Sequence, residues 1–237
     1  TLDSTNVEKY IIDKTINNAD GMYGVIARSD ATMDFFLRVD GVLKSVVNIA
    51  VDTSKHHWVL TWSTTADQIE VWKDGVSAGT TSLAGGTPSD GGKDMTFSTR
   101  QENQLFPIDG VLDEIVLWGE LLSDNDIVDL HNSGDGLYAG TGITFPTDGG
   151  SMGTNLNALW HCDDASGTSL SDSSTNSNTG TLVDMEDADW VTGLVASTTG
   201  VQEVTVWKSE DGTGSNEQGI QTYGDGDGRT IIEGKTL

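Results

Sequence analysis

Carboxylates, seven tryptophans, four histidines and one cysteine are the residues of this chain that could do chemistry. Most of the spacings that catalysis needs are missing. Glycoside hydrolysis in its retaining form uses two carboxylates about 5 Å apart, which on a strand means i and i+4 or closer on one face. No Gly-x-Ser-x-Gly elbow or phosphate loop is present, and His56-His57 lacks metalloprotease spacing. Asp225-Gly226-Asp227-Gly228-Arg229 starts like a calcium loop, but arginine stands at the fifth position, where an oxygen ligand is required. Cys162, flanked by His161 and Asp163, excludes an intrachain disulfide and a multi-cysteine zinc site, and reads as a buried small residue on a strand. Sugar binding needs exposed aromatic rings beside polar groups. Trp62, Trp72 and Trp118 alternate with apolar neighbours and can face outward, and Trp207 beside Lys208 suits an interface anchor.

The elements that would position these residues are strands. Glycine (29) is abundant, proline (3) is scarce, and Thr, Ser, Asp and Asn fill short gaps between apolar runs. The length of 237 residues suits one large sandwich or two smaller domains. A net charge of −25, from 12 basic against 37 acidic residues, argues against nucleic acid or anionic membrane as partner. It favours solubility, salt tolerance and divalent cations. No apolar run has the length of a membrane span, so a soluble chain is expected. Thr1 marks either a processed chain or part of a longer product.

Strands are expected at Tyr10–Lys14, Tyr23–Ala27, Met33–Val39, Leu43–Ile49, His57–Trp62, Gln68–Lys73 and Val76–Thr80. Asp40-Gly41 and Asp74-Gly75 are hairpin signals between them. Ile108–Trp118 reads as a strong strand pair. Ser123, with Asp126 three residues on, starts one short helix carrying Ile127 and Leu130 and ending near Asn132 and Gly134. Residues 137–157 are glycine-rich and read as a linker or long loop. Strands around Leu159, Trp190-Val191, Val201–Trp207 and Thr230–Ile232 follow.

Three stretches resemble the laminin-G-like, concanavalin-A-like jelly rolls. His57-Trp58-Val59-Leu60-Thr61-Trp62 with Ile69-Glu70-Val71-Trp72-Lys73-Asp74-Gly75 is similar to the family's core. Gly110-Val111-Leu112-Asp113-Glu114-Ile115-Val116-Leu117-Trp118, followed by Leu121-Leu122-Ser123, resembles its closing segment. Leu159-Trp160-His161-Cys162-Asp163-Asp164, then Leu170-Ser171-Asp172-Ser173-Ser174 and Gly180-Thr181-Leu182, resembles its opening. The resemblance implies an all-β antiparallel sandwich with Trp58 in the core. It also implies that opening and closing segments stand in the wrong order for one ordinary copy. The expected organisation is a jelly roll lacking its opening strand over 1–136, a linker over 137–157, and an opening segment with a divergent β tail over 158–237. The second section either starts another copy or completes a sandwich, within the chain or between chains.

The family's hydrolases carry an acid trio on one strand; here Val116 stands at the middle position between Glu114 and Glu120, so no enzyme is expected. Resembling modules often hold a structural calcium, and Asp113, Asp163, Asp164 and Asp172 are the candidate ligands, set against a role in turn formation. The expected function is a non-enzymatic assembly and binding module at a virion surface, such as a phage capsid decoration or fibre protein. Its expected partners are other subunits, in a homo-oligomer, and surface glycans. The alternative is a secreted bacterial adhesin or carbohydrate-binding module of a larger surface protein.

Overall fold

Turn residues and alternating apolar positions fold this chain into short antiparallel strands. The computed structural model describes residues 8–16, 20–88, 94–100, 106–193, 205–209, 220–224 and 230–234, the last three segments as backbone. The chain divides into two units, Thr1–Gly110 with Ser209–Asp211 and Val111–Lys208 with Gly212–Leu237.

The first unit opens with β1 (Lys9–Ile16), β2 (Asp20–Ala27), β3 (Thr32–Val39) and β4 (Val42–Ala50). It continues through β5 (Trp58–Ser63), β6 (Gln68–Lys73), β7 (Val76–Ser82) and β8 (Thr96–Phe97). Five strands form a sheet in the order β4-β3-β2-β1-β8, and three form another, β5-β6-β7. Both expected hairpin turns are present. Asp40-Gly41 has φ of 49° and 77°, and Asp74-Gly75 has 54° and 74°, the positive pair that a two-residue hairpin with native twist requires.

The two sheets of this unit face each other. Ile69 and Val71 of β6 are fully buried, and Val46 of β4 lies against Gly79 of β7. Phe35 packs on Trp58 with ring centroids 5.3 Å apart, and Tyr23 on Trp62 at 5.9 Å. Leu37, Leu83 and Ile108 are also fully buried, each burial stabilising by about 1.5–3 kcal/mol.

On the other side of the five-stranded sheet, Phe36 lies with Tyr10 and Ile26, its ring over the bare backbone of Gly24. A Cβ there would sit 2.3 Å from Phe36 Cζ. Gly24→Ala is therefore expected to lower the stability of this unit by about 1–3 kcal/mol, through forced displacement of a buried ring. A urea midpoint equal to that of the wild type would show that the ring moves at no cost.

After β9 (Gly110–Leu112), which begins at the last residue of the first segment, come β10 (Ile115–Trp118), α1 (Asp124–His131), β11 (Leu156–Trp160), β12 (Ser169–Leu170) and β13 (Gly180–Thr181). They are followed by β14 (Trp190–Thr192), β15 (Thr205–Ser209), β16 (Ile220–Gly224) and β17 (Thr230–Gly234). β10 pairs antiparallel with β11, Ile115 opposite Trp160 and Leu117 opposite Ala158. The family-like closing and opening segments thus meet within one chain. The strand pair expected over Ile108–Trp118 is present as β9 and β10, separated where Glu114 adopts a left-handed conformation at φ 48° and set in different sheets.

Helix α1 begins as its sequence predicts. Ser123 caps it, the Asp126 N–H donating to Ser123 Oγ while Asp126 accepts from the Ser123 N–H, and Asn132 ends it at φ 47°. Residues 137–155 do not run free: Phe145 and Met152 are buried, and Asp129 of α1 accepts from the Thr147 N–H and hydroxyl. No helix among the described residues is long and apolar enough to cross a membrane.

Candidate functional site

Strand β5 is the edge of its sheet, and each of its six residues is half-exposed. Its alternation puts Trp58, Leu60 and Trp62 on the side of Ile69 and Val71, facing the five-stranded sheet. Val59, Thr61 and Ser63 therefore point the other way, with Gln68, Glu70 and Trp72 of β6. Trp58 was expected in the core and is only half-buried. An edge strand has a neighbour on one side, so its rings are left uncovered on the other.

The outward side of β6 is a fixed polar array. Gln68 Nε2 donates to Glu70 Oε2 at 3.1 Å, the Ser77 hydroxyl donates to Glu70 Oε1, and the Thr61 hydroxyl donates to the Glu70 carbonyl at 3.4 Å. Both oxygens of the Glu70 carboxylate are thus aimed by neighbours on their own sheet. At the β5–β6 turn, Asp67 accepts from the Ser82 hydroxyl and the Gly85 N–H, which hold its carboxyl below the ordinary value in that order. The signal for this array was present in Gln68-Ile69-Glu70-Val71-Trp72, whose polar and apolar positions alternate.

The four tryptophans named from sequence have different settings. Trp62 is half-exposed with Tyr23 against its ring. Trp72 is 8% exposed, so it offers little ring to a ligand. Trp118 is half-exposed in the second unit and donates from Nε1 to the Met152 carbonyl at 3.1 Å. Trp207 lies in β15, and its side chain is outside the described residues.

The aspartates named for calcium are not gathered. Among the described residues no group of three or more His, Cys, Asp or Glu is placed to hold a metal ion. Asp172 instead organises the opening segment. It accepts from the backbone N–H of Leu159, Ser174 and Asn178 and from the Ser174 hydroxyl, at 2.6–2.9 Å. Burial opposes its ionisation, but these donors hold its carboxyl below the ordinary value. Asp164 accepts from the Ser171 N–H and hydroxyl. From residue 101 to 207 the sequence has no Lys or Arg, so hydroxyls and N–H groups take the role cations would have.

Asp113 and Asp163 stand near a buried cluster. His161 Nδ1 meets Glu114 Oε1 at 2.7 Å, both side chains under a tenth exposed, and the His161 ring stacks on Tyr138 with centroids 4.0 Å apart. Burial pushes the Glu114 carboxyl above its ordinary value, with the His161 bond opposing. Burial, then the Asp163 charge, pushes the Tyr138 hydroxyl up to about 12. Cys162 is buried as expected, but at φ 59° just beyond β11 rather than on a strand, and burial drives its thiol well up. Glu120, the other acid flanking Val116, is exposed and accepts from Asn155 Nδ2 at 3.1 Å. One of these acids is buried against a histidine, and the other is exposed and tied to an asparagine.

Facing antiparallel sheets, with an aromatic and polar edge, define a lectin-like jelly roll. The chain belongs to the concanavalin A-like lectin/glucanases superfamily, the match covering residues 1–128. Among solved structures, a Bacteroides ovatus protein described as carbohydrate-binding is similar at 14% identity and TM-score 0.53, over 78% of this chain and 52% of that one. The CBM40 of Ruminococcus gnavus IT-sialidase, solved with α2,3-sialyllactose, is 15% identical at TM-score 0.42, over 54% and 76%. A SAP-like pentraxin of Limulus polyphemus is 19% identical at TM-score 0.37, over 53% and 64%. Comparison with curated proteins gives no match.

Proposed function

We propose that this chain is a non-catalytic glycan-binding module of a larger extracellular surface protein. The observation that carries the reading is the β5 edge. It offers the half-exposed Trp62 ring on one side and, on the other, Thr61 beside a Glu70 carboxylate aimed by Gln68 and Ser77. The uncovered part of the ring suits the C–H side of one sugar of a chain that crosses the β5 edge, while the fixed carboxylate and amide on the other face suit the hydroxyls of the next. The Glu70 charge and the net charge of −25 favour neutral glycans over sulfated or carboxylated ones. Membership of a lectin-containing superfamily supports the binding role.

An array of neutral oligosaccharides, followed by calorimetry on the best ligand, tests the proposal. Trp62→Ala and Glu70→Gln are each expected to weaken binding by about tenfold or more while the circular dichroism stays that of the wild type. Folded protein that binds no glycan, or binds equally well in both variants, would sink it. Release of reducing sugar from the bound ligand would overturn the non-catalytic part.

A further inference from the structure

Between β4 and β5, the loop over residues 51–57 is fastened by an imidazole set between two carboxylates. His56 Nδ1 lies 2.7 Å from Asp74 Oδ2, and His56 Nε2 lies 3.0 Å from Asp52 Oδ1. Asp74 belongs to the β6–β7 turn and grips the loop twice more. Its Oδ1 accepts from the His57 N–H at 2.9 Å, and its own N–H donates to the His57 carbonyl at 2.9 Å. The His56 side chain is 14% exposed, its edge turned to the Trp58 ring at 5.9 Å.

A carboxylate only accepts, and a neutral imidazole has one N–H and one lone pair. Both contacts can be hydrogen bonds only when both ring nitrogens carry hydrogen. A neutral ring would turn a lone pair onto one of the two anions. We propose that His56 is a pH-operated clamp: its imidazolium bridges Asp52 and Asp74 to hold the loop before β5 on the β6–β7 turn, and loss of one proton releases that loop.

The charged neighbours fit this reading. Lys73 on β6 sits over Trp58 at 5.3 Å from the ring centroid and spends its ammonium on the Ala50 carbonyl at 2.9 Å. Lys55 and His57 adjoin His56 in sequence, so against these basic groups the two carboxylates are in direct contact with the ring. Asp52 stays ionised over a wide range. The Ser54 N–H and hydroxyl first, and His56 after them, lower its carboxyl to about 2. The clamp is lost when the ring gives up one of its two N–H protons, because a single N–H cannot serve both carboxylates.

This inference stands apart from glycan binding, and its test needs no ligand. In 15N-histidine-labelled full chain, long-range proton–nitrogen spectra, with H56N providing the assignment, should show His56 losing one of two protonated nitrogens over the same pH range in which the loop opens. Amide protection over 52–57, corrected for intrinsic exchange, should fall about tenfold with rising pH to the level of H56N. A ring that keeps both nitrogens protonated while the loop opens, or protection equal in wild type and H56N at all pH values, would overturn the proposal.

Discussion

Phe35→Ala is expected to lower the stability of the first unit by about 3–5 kcal/mol, a large share of what a domain of this size has. Phe35 is 1% exposed, at the middle of β3, opposite Val25 on one side and Val46 on the other. Its ring also backs Trp58 across the gap between sheets. Deleting it opens a cavity against strands pinned by hairpins on both sides, which cannot collapse to fill it. The urea midpoint should fall accordingly, and Phe35→Leu should recover more than half of the loss. A fall under about 1 kcal/mol would mean that the two sheets close over the gap.

The second large effect belongs to Glu114. Glu114→Ala removes one member of a buried, hydrogen-bonded pair and strands His161 beside Tyr138, so a loss of about 3 kcal/mol at pH 7 is expected. Glu114→Gln should behave differently. Burial raises the Glu114 carboxyl above 4.5, so the folded chain holds that proton more tightly than the unfolded chain does. The stabilisation from this group is complete below pH 4.5 and is lost as pH rises through the raised folded value. Glutamine keeps an acceptor for His161 and has no charge to bury. The difference in urea midpoint between Glu114→Gln and the wild type should therefore move in the variant's favour from pH 4 to pH 8. A difference independent of pH would show that Glu114 ionises as freely when folded as when unfolded.

Local rules made much of the architecture legible. Asp-Gly pairs predict the hairpins, Ser123 with Asp126 predicts the start of α1, and period-two alternation predicts β5 and β6. What local rules miss depends on position in a sheet or on distant partners. Trp58 fits a core pattern, yet it is half-buried because β5 is an edge, and sheet order is not a property of six residues. His56 looks unremarkable beside His57, because its carboxylates come from four positions before it and from the turn after β6. Glu114, between β9 and β10, meets His161 from 47 residues further on, a partner that a search for strand periodicity does not weigh. Asp172 was read as a candidate ligand and also as a turn former, and its four hydrogen-bond donors show the second role in detail.

The pairing of β10 with β11 also matters for the order in which the chain is made. The family match ends at residue 128, inside α1, after β10 has been synthesised and before Leu156–Trp160 exists. A nascent chain that has reached that point carries Ile115–Trp118 with its β11-facing edge bare, an apolar segment open to wrong partners. The segment recognisable by homology is therefore shorter than the segment that must leave the ribosome before this edge is closed.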